Sequence, residues 1–553
     1  MTEALLSPEE ACAALDAGTL SPREVLRRLN PARLSPDAPV QESGTPLEAW
    51  PDVFGAFVGM PCAGYLAFTQ EQVDALVAEG KPAILVRHDN ASYRIPLDSR
   101  IKGVIIPGQR LSHARHELAG LGMTGVTAQY EGFEAWTGPE AGGTLFAGAV
   151  DRAKRNTANR YSKIHVLGRA GDPVTLWPPR IYKGILDTGS VQRRQESVAR
   201  LSRVAVETRT ARKVPKILVN IDHAAQAVIA GKSDGMGLVR TEGILVKDCP
   251  WEDLLEILSA KECGHHWSMI ISKWFSRIGP WFSRSCTEIL RASGNLPVTV
   301  RLLDLGLPEI LSAEQLQQFR AAFSLKDGQL WGVQLAMALE SALNIYELQL
   351  DRLFRAVQNK NTGFSGPLHI MVPTVCTVEE LAWARDLTRE VAEKHGMQDL
   401  YGFRSMVETV AASEPVVVRE IARMCKGISI GGNDLTFEVL KLSRYDRTAL
   451  EAWKAANGGV DPEVELVPEV RKRIRQIVAE ARYANPEIEI SFCGHQATNP
   501  EAVEFLCSLG IDSLSVPSTE YHVHVARIAA TRAVLLQEQE AVPVPAGQQP
   551  RAG

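Results

Sequence analysis

From Lys216 onward the sequence reads KILVNID (216–222), GMGLVRTE (235–242), VTVRLLD (298–304), LHIMVP (368–373), FRSMVET (403–409), GISIGGND (427–434), IEISFCG (488–494) and SLSVPS (513–518). Each run is short and apolar. Each is followed by a polar loop and a segment with helical spacing, the pattern of a buried parallel strand returned by a helix. Eight such units over roughly 300 residues is the arithmetic of a (β/α)8 barrel, a TIM barrel, here assigned to 214–536. The Trp- and His-containing stretch from Cys263 to Cys286 enlarges it slightly.

Upstream of the barrel the pattern changes. GYLAF (64–68), EQVDALVAEG (71–80), AILVRHD (83–89), GVIIPG (103–108), ARHELAGLG (114–122) and GVTA (125–128) alternate strand and helix, and DPVTLW (172–177) closes the series. This predicts a small α/β domain over 51–178. Residues 1–50 read as two short helices with Ser-Pro starts, at Ser7 and Ser21, followed by the connector LSPDAPVQESGTP. Residues 179–213 are polar, arginine-rich and helically spaced, which predicts a linker helix. Residues 537–553 lack apolar periodicity and read as a disordered tail. The fold class is α/β, a small domain followed by a barrel.

Composition narrows the function classes. A 553-residue chain with 45% hydrophobic and 23% charged residues is an ordinary globular protein of several compact units. A net charge of -5 gives no electrostatic footprint for nucleic acid or an anionic membrane. There is no apolar run of about 18 residues, and the N-terminus is acidic where a secretory signal is basic, so a cytoplasmic protein is expected. Nine scattered cysteines without a CxxC pair fit neither a disulfide framework nor a zinc site.

Barrel chemistry is built where the strands end. Arg240 ends the second run, Arg301 lies within the third, Glu408 ends the fifth, Asn433 and Asp434 end the sixth, and Cys493 ends the seventh. Singly, each has an ordinary structural use: a salt-bridged arginine, a turn with a helix cap at Asn433-Asp434, a core thiol at Cys493. Together, two guanidiniums, two carboxylates, an amide and a thiol suit a small, multiply anionic ligand held with a hard cation. Arginine binds phosphate and carboxylate through paired N–H groups, and Mg²⁺ takes one or two carboxylates plus substrate oxygens and water.

GMGLVRTE, PVTVRLLD, MVET, SIGGNDLT and FCGHQ resemble, in order and spacing, the barrel of the PEP-utilising enzymes of the pyruvate phosphate dikinase and PEP synthase type. LPVTVRLLDLGLPEIL and NIYELQLDRLF are most similar to the dikinase branch. The resemblance implies phosphoenolpyruvate or pyruvate as ligand and Mg²⁺ as cofactor. It implies that Arg240 and Arg301 hold the transferring phosphate, Glu408 and Asp434 bind Mg²⁺, and Asn433 helps to position the substrate. Cys493 becomes the acid that protonates C3 of the enolate. It further implies a homodimer through the barrel.

In the upstream domain, the run GVIIPGQRLSHARHELAGLGMTGVTA places His113 at a helix start, where backbone N–H groups favour a phosphoryl group, although an exposed histidine in a capping turn reads the same way. The stretch resembles the swivelling phosphohistidine domain of the same enzymes, which makes His113 the phosphoryl carrier. Gln109 and Leu111 depart from that domain's G-G-x-T-S-H-A pattern. A second departure is GQLWGVQLAM, which puts Gln334 and Met337 where the resemblance implies arginines. No ATP-grasp domain is recognisable ahead of the swivelling domain and no P-loop is found, so a separate ATP-grasp subunit or a phosphocarrier protein is the expected partner. The alternatives are a PEP-binding sensor or scaffold, and an enzyme of a specialised pathway with a non-pyruvate acceptor.

Overall fold

The computed structural model describes residues 4–34, 53–54, 57–58, 62–86, 100–107, 124–130, 133–137, 144–150, 161–177, 180–183, 188–247, 267–304, 306–307, 313–340, 344–443 and 447–540. The chain divides into two compact units, Met1–Val204 with Thr519–His524, and Ala205–Ser518 with Val525–Gly553.

The first unit opens on the two helices expected from their Ser-Pro starts, Pro8–Asp16 and Pro22–Arg28. Each has a capping box, Ser7 with Glu10 and Ser21 with Glu24, in which the serine hydroxyl accepts from the third helical N–H and the glutamate accepts from the serine N–H. Its sheet is built from Val53–Phe54 (β1), Phe57–Val58 (β2), Cys62–Ala67 (β3), Ala83–Val86 (β4), Ile101–Pro107 (β5), Thr124–Tyr130 (β6), Phe133–Thr137 (β7), Thr144–Val150 (β8), Tyr161–Arg169 (β9), Pro173–Trp177 (β10) and Arg180–Lys183 (β11). The strands lie in the order β11-β10-β3-β4-β5-β6-β7-β8-β9, with β1 and β2 paired to β6. Strands β3 to β6 are parallel, as the alternating pattern predicts.

Side chains of β4 show how the two faces are filled. Ile84 and Val86 pack with Leu66, Ile105, Val174 and Leu176 on one face. Ala83 and Leu85 pack with Val73 and Leu76 of the helix Gln70–Ala78 on the other. The antiparallel run β7 to β9 carries no assigned element in the sequence reading, and β11 lies inside the stretch read as linker. The helix in that stretch is Thr188–Glu207.

In the second unit all eight apolar runs become strands: Lys216–Ile221 (β12), Met236–Arg240 (β13), Val298–Arg301 (β14), Leu368–Val372 (β15), Tyr401–Val407 (β16), Gly427–Gly431 (β17), Glu489–Cys493 (β18) and Ser513–Val516 (β19). They pair in sequence order, all parallel, and β19 returns to β12 to close the barrel. Every residue of β14, β15, β17 and β19 is buried, which is why these runs are mostly apolar or small, with His369 and Arg301 the large polar exceptions. The closing helix is Glu520–Glu540, so Gln537–Glu540, read as the start of a tail, is its last turn. No helix among the described residues is long and apolar enough to cross a membrane.

Candidate functional site

Strand register brings the polar run ends to one end of the barrel. Arg240 pairs with Arg301 across β13 and β14, and Gly431 pairs with Cys493 across β17 and β18. Beside them Leu238, Met371, Met406 and Cys493 pack as a buried apolar cluster, with Met371 level with Arg301 in register. The site thus sets polar side chains against buried apolar ones, where charges are screened little.

Neither arginine stands alone. Arg240 Nη1 lies 2.9 Å from Asp222 Oδ1, at the end of the first run. Arg301, 6% exposed, is more constrained. Its Nη2 donates to Glu242 Oε1, its Nη1 lies 3.0 Å from Asp304 Oδ2, and Nη1 also approaches Met406 Sδ at 3.6 Å. Asp222, Glu242 and Asp304 are the residues that sequence reasoning missed. Each closes one of the quoted runs, so the signal was present, but an acid after a strand reads equally well as a helix cap.

Glu408 follows β16 and is 2% exposed. Its Oε1 accepts the Thr374 N–H at 2.7 Å, while its buried Oε2 has no hydrogen-bond partner. Burial, then the charges of Asp304 and Asp434, push its carboxyl up to about 8, against the opposing pull of Arg301 and the Thr374 N–H. Asp434 lies in the first turn of the helix Gly432–Leu440, directly after β17. Gly431 leaves room for Glu408, since a Cβ there would stand 2.6 Å from Glu408 Oε2. Asn433 Oδ1 accepts the His495 N–H at 3.2 Å, tying the loop after β17 to the loop after β18.

Cys493 ends β18 with its thiol buried, 3.5 Å from the Ser429 hydroxyl. Burial pushes the thiol up to about 11, and Glu408 adds to that, whereas the Ser429 hydroxyl, Arg240 and Arg301 act in the other direction. The thiol therefore keeps its proton at neutral pH.

The ring thus carries the cations Arg240 and Arg301 against the acids Asp222, Glu242, Asp304, Glu408 and Asp434. Ionised together, these acids repel an anionic ligand unless a cation accompanies it, and a cation beside Glu408 is also what would keep its carboxyl ionised at neutral pH. Glu408 Oε2, buried and unpartnered, with Asp434 close enough to raise its proton affinity, fits a small hard ion that takes two carboxylates and completes its shell elsewhere. No cluster of three or more His, Cys, Asp or Glu placed to hold a metal occurs among the described residues. Of the seven sequence-predicted site residues, Arg240, Arg301, Glu408, Asn433, Asp434 and Cys493 lie at this end of the barrel, and His113 lies outside the described residues.

A pH dependence follows from Glu408. An unfolded glutamate titrates near about 4.3, while the folded carboxyl titrates near 8, so between these values the folded state holds a proton that the unfolded chain releases. Its contribution to stability is complete below the lower value and is lost as pH rises through the upper one. The denaturation midpoint of the metal-free protein is expected to fall from pH 5 to pH 9, and Glu408→Gln to flatten that slope. An unchanged slope in Glu408→Gln excludes this carboxyl as the source.

The family model for the PEP-utilising enzyme, PEP-binding domain, matches residues 195–535. Pyruvate, phosphate dikinase 2 of Oryza sativa subsp. japonica is 26% identical over 502 residues, 85% of this chain and 53% of the relative. Pyruvate, phosphate dikinase of Rhizobium meliloti (strain 1021) is 25% identical over 573 residues, 96% of this chain and 57% of the relative. The chain spans about half the length of the curated relatives it matches. Among solved structures, a Haloferax volcanii malate synthase complex is similar at 10% identity and a TM-score of 0.32, covering 58% of this chain and 71% of that one, a likeness too loose to argue from.

Proposed function

The chain belongs to the PEP-utilising enzymes, carrying their PEP-binding domain over 195–535, and from that premise we propose that it moves a phosphoryl group between His113 and the enolate of pyruvate or a closely related 2-oxo acid. The observation that carries this reading is the pairing, at one barrel end, of a protonated buried thiol with a carboxylate whose second oxygen is buried and unpartnered. One group can deliver a proton to carbon and the other can help to hold charge on oxygen, which is what interconverting an enolate and a ketone requires.

Glu408 and Asp434 would hold Mg²⁺, which when bound supplies charge neutralisation at the enolate oxygen and the phosphate. Arg240 and Arg301 hold the phosphoryl oxygens through N–H donation. Their acid partners fix the guanidinium planes and so limit the entropy lost when ligand arrives. Asn433 orients the substrate from the loop that its amide oxygen ties to His495. Cys493 Sγ holds the proton for C3, and its burial in an apolar cluster limits competition from bulk water.

A specific observation supports a second reading, a PEP-binding protein with little transfer. Gln334, at a position where the resemblance implies arginine, donates instead to the Thr374 carbonyl at 2.6 Å and to Glu380 Oε2 at 2.9 Å. Met337, at the other such position, is 41% exposed. Incubation with PEP and Mg²⁺ separates the two. Under the first reading, mass spectrometry finds phosphate on His113 and chromatography finds a matching amount of pyruvate. Saturable PEP binding with no phosphate on His113 overturns the first reading in favour of the second.

A further inference from the structure

Thr374, directly after β15 and Pro373, has a φ of 52°, and only Ser324 and Lys441 share a positive φ among the described non-glycine residues. A β-branched side chain is the least suited to that left-handed region, so the surroundings must hold it there. They do so from three directions. The Thr374 N–H donates to Glu408 Oε1 at 2.7 Å, its hydroxyl donates to Asp304 Oδ1, and its carbonyl accepts from Gln334 Nε2 at 2.6 Å. Gln334 is itself braced by Glu380, whose Oε2 also accepts the N–H groups of Cys376 and Thr377, at 2.7 and 3.1 Å. The helix that carries Gln334 begins at Gly332, φ 43°, where a Cβ would stand 2.3 Å from Thr374 Oγ1. The backbone there can come so close only because it is glycine.

The consequence falls on two carboxylates. By binding Oε1, the Thr374 N–H decides which Glu408 oxygen remains, and Oε2 is the one left buried without a partner. By binding Asp304, the hydroxyl holds that acid between itself and Arg301. Thr374 touches both acids, and it does so with adjacent groups whose spacing the left-handed backbone sets. We propose that Thr374 is a positioning residue that orients Glu408 for a divalent cation and holds Asp304 beside it against Arg301, with Gln334 clamping its peptide in the strained conformation. This rests on the function proposed above, in which Glu408 is a metal ligand. It also assigns Gln334 a use of its own in place of phosphate binding.

The test measures Mg²⁺ binding calorimetrically, without substrate, in the full chain and in Thr374→Ser, Thr374→Val and Thr374→Gly, with the denaturation midpoint of each. Thr374→Ser keeps the hydroxyl and should bind within about threefold of the parent. Thr374→Val keeps the shape and the backbone N–H to Glu408 but loses the hydroxyl that holds Asp304 beside it, and should bind about 10- to 100-fold more weakly, the usual cost of losing a group that orients a metal site. Thr374→Gly relieves the backbone, so its midpoint should hold or rise while its Mg²⁺ affinity falls, a split that a merely structural residue does not produce. Equal affinity in the parent and Thr374→Val overturns the positioning role and leaves the proposed function standing. Absence of Mg²⁺ binding in the parent overturns both.

Discussion

Under the proposed function, Cys493→Ala should lower the rate of pyruvate formation from PEP by about 10²- to 10⁴-fold, the range expected when a positioned acid is removed, while PEP still binds. The proton must come from a group that holds it at neutral pH and reaches carbon in a place closed to bulk water. Cys493 is 5% exposed, its thiol is pushed up to about 11, and it sits among Leu238, Met371 and Met406. The reverse step gives a cleaner reading. Loss of deuterium from the methyl group of pyruvate requires the thiolate, so its rate should climb with pH towards the thiol's value, and it should vanish in Cys493→Ala. Ser429→Ala, which removes the 3.5 Å hydroxyl contact to sulfur, should raise the thiol's pKa further and slow exchange modestly. Deuterium exchange that persists in Cys493→Ala assigns the proton to another group.

The barrel was legible because its strands are buried on both faces. LHIMV and GISIG are apolar or small but for His369 and Ser429, both buried, and each gives way to polar residues only past the strand end, so the boundaries are written in the side chains. The antiparallel strands β7 to β9 were not, since FEAWT, TLFAGAV and YSKIHVLGR mix polar, small and apolar residues without a clean two-residue alternation. At the site, Arg240, Arg301, Glu408 and Cys493 were legible as polar residues where an apolar run stops. Their counter-charges were harder to see. Asp304 lies three residues past Arg301, and only the curvature of the chain after β14 turns that spacing into a 3.0 Å ion pair. Thr374 offered no signal at all. Its importance lies in a backbone angle and three hydrogen bonds reaching residues 34, 40 and 70 positions away. Sequence patterns report burial well and long-range polar pairing poorly, because burial has a period and pairing does not.

Arg301→Met shows whether those pairings carry stability as well as chemistry. Arg301 is 6% exposed and meets Glu242 and Asp304 in a region where Glu408 is also buried. Methionine fills much of the same volume beside Met406, so the loss is mainly one of charge. Breaking a buried pair by removing one partner costs about 3–5 kcal/mol, because the other charge stays behind without compensation. Here two acids stay behind, Glu242 and Asp304, and Glu408 loses the cation that offsets its neighbours. Chemical denaturation should therefore show Arg301→Met destabilised by an amount in that range, with part of the loss avoided at low pH, where the orphaned acids protonate. Adding Glu242→Gln should recover some of the stability, since it removes one of the stranded charges, and the double-mutant cycle reads their coupling directly. PEP affinity should behave differently. Glu242→Gln cannot restore the guanidinium proposed to hold the phosphate, so calorimetry should find PEP binding weak in both the single and the double variant. Recovery of stability without recovery of binding separates the two roles of Arg301, and PEP binding that survives Arg301→Met removes it from the ligand site.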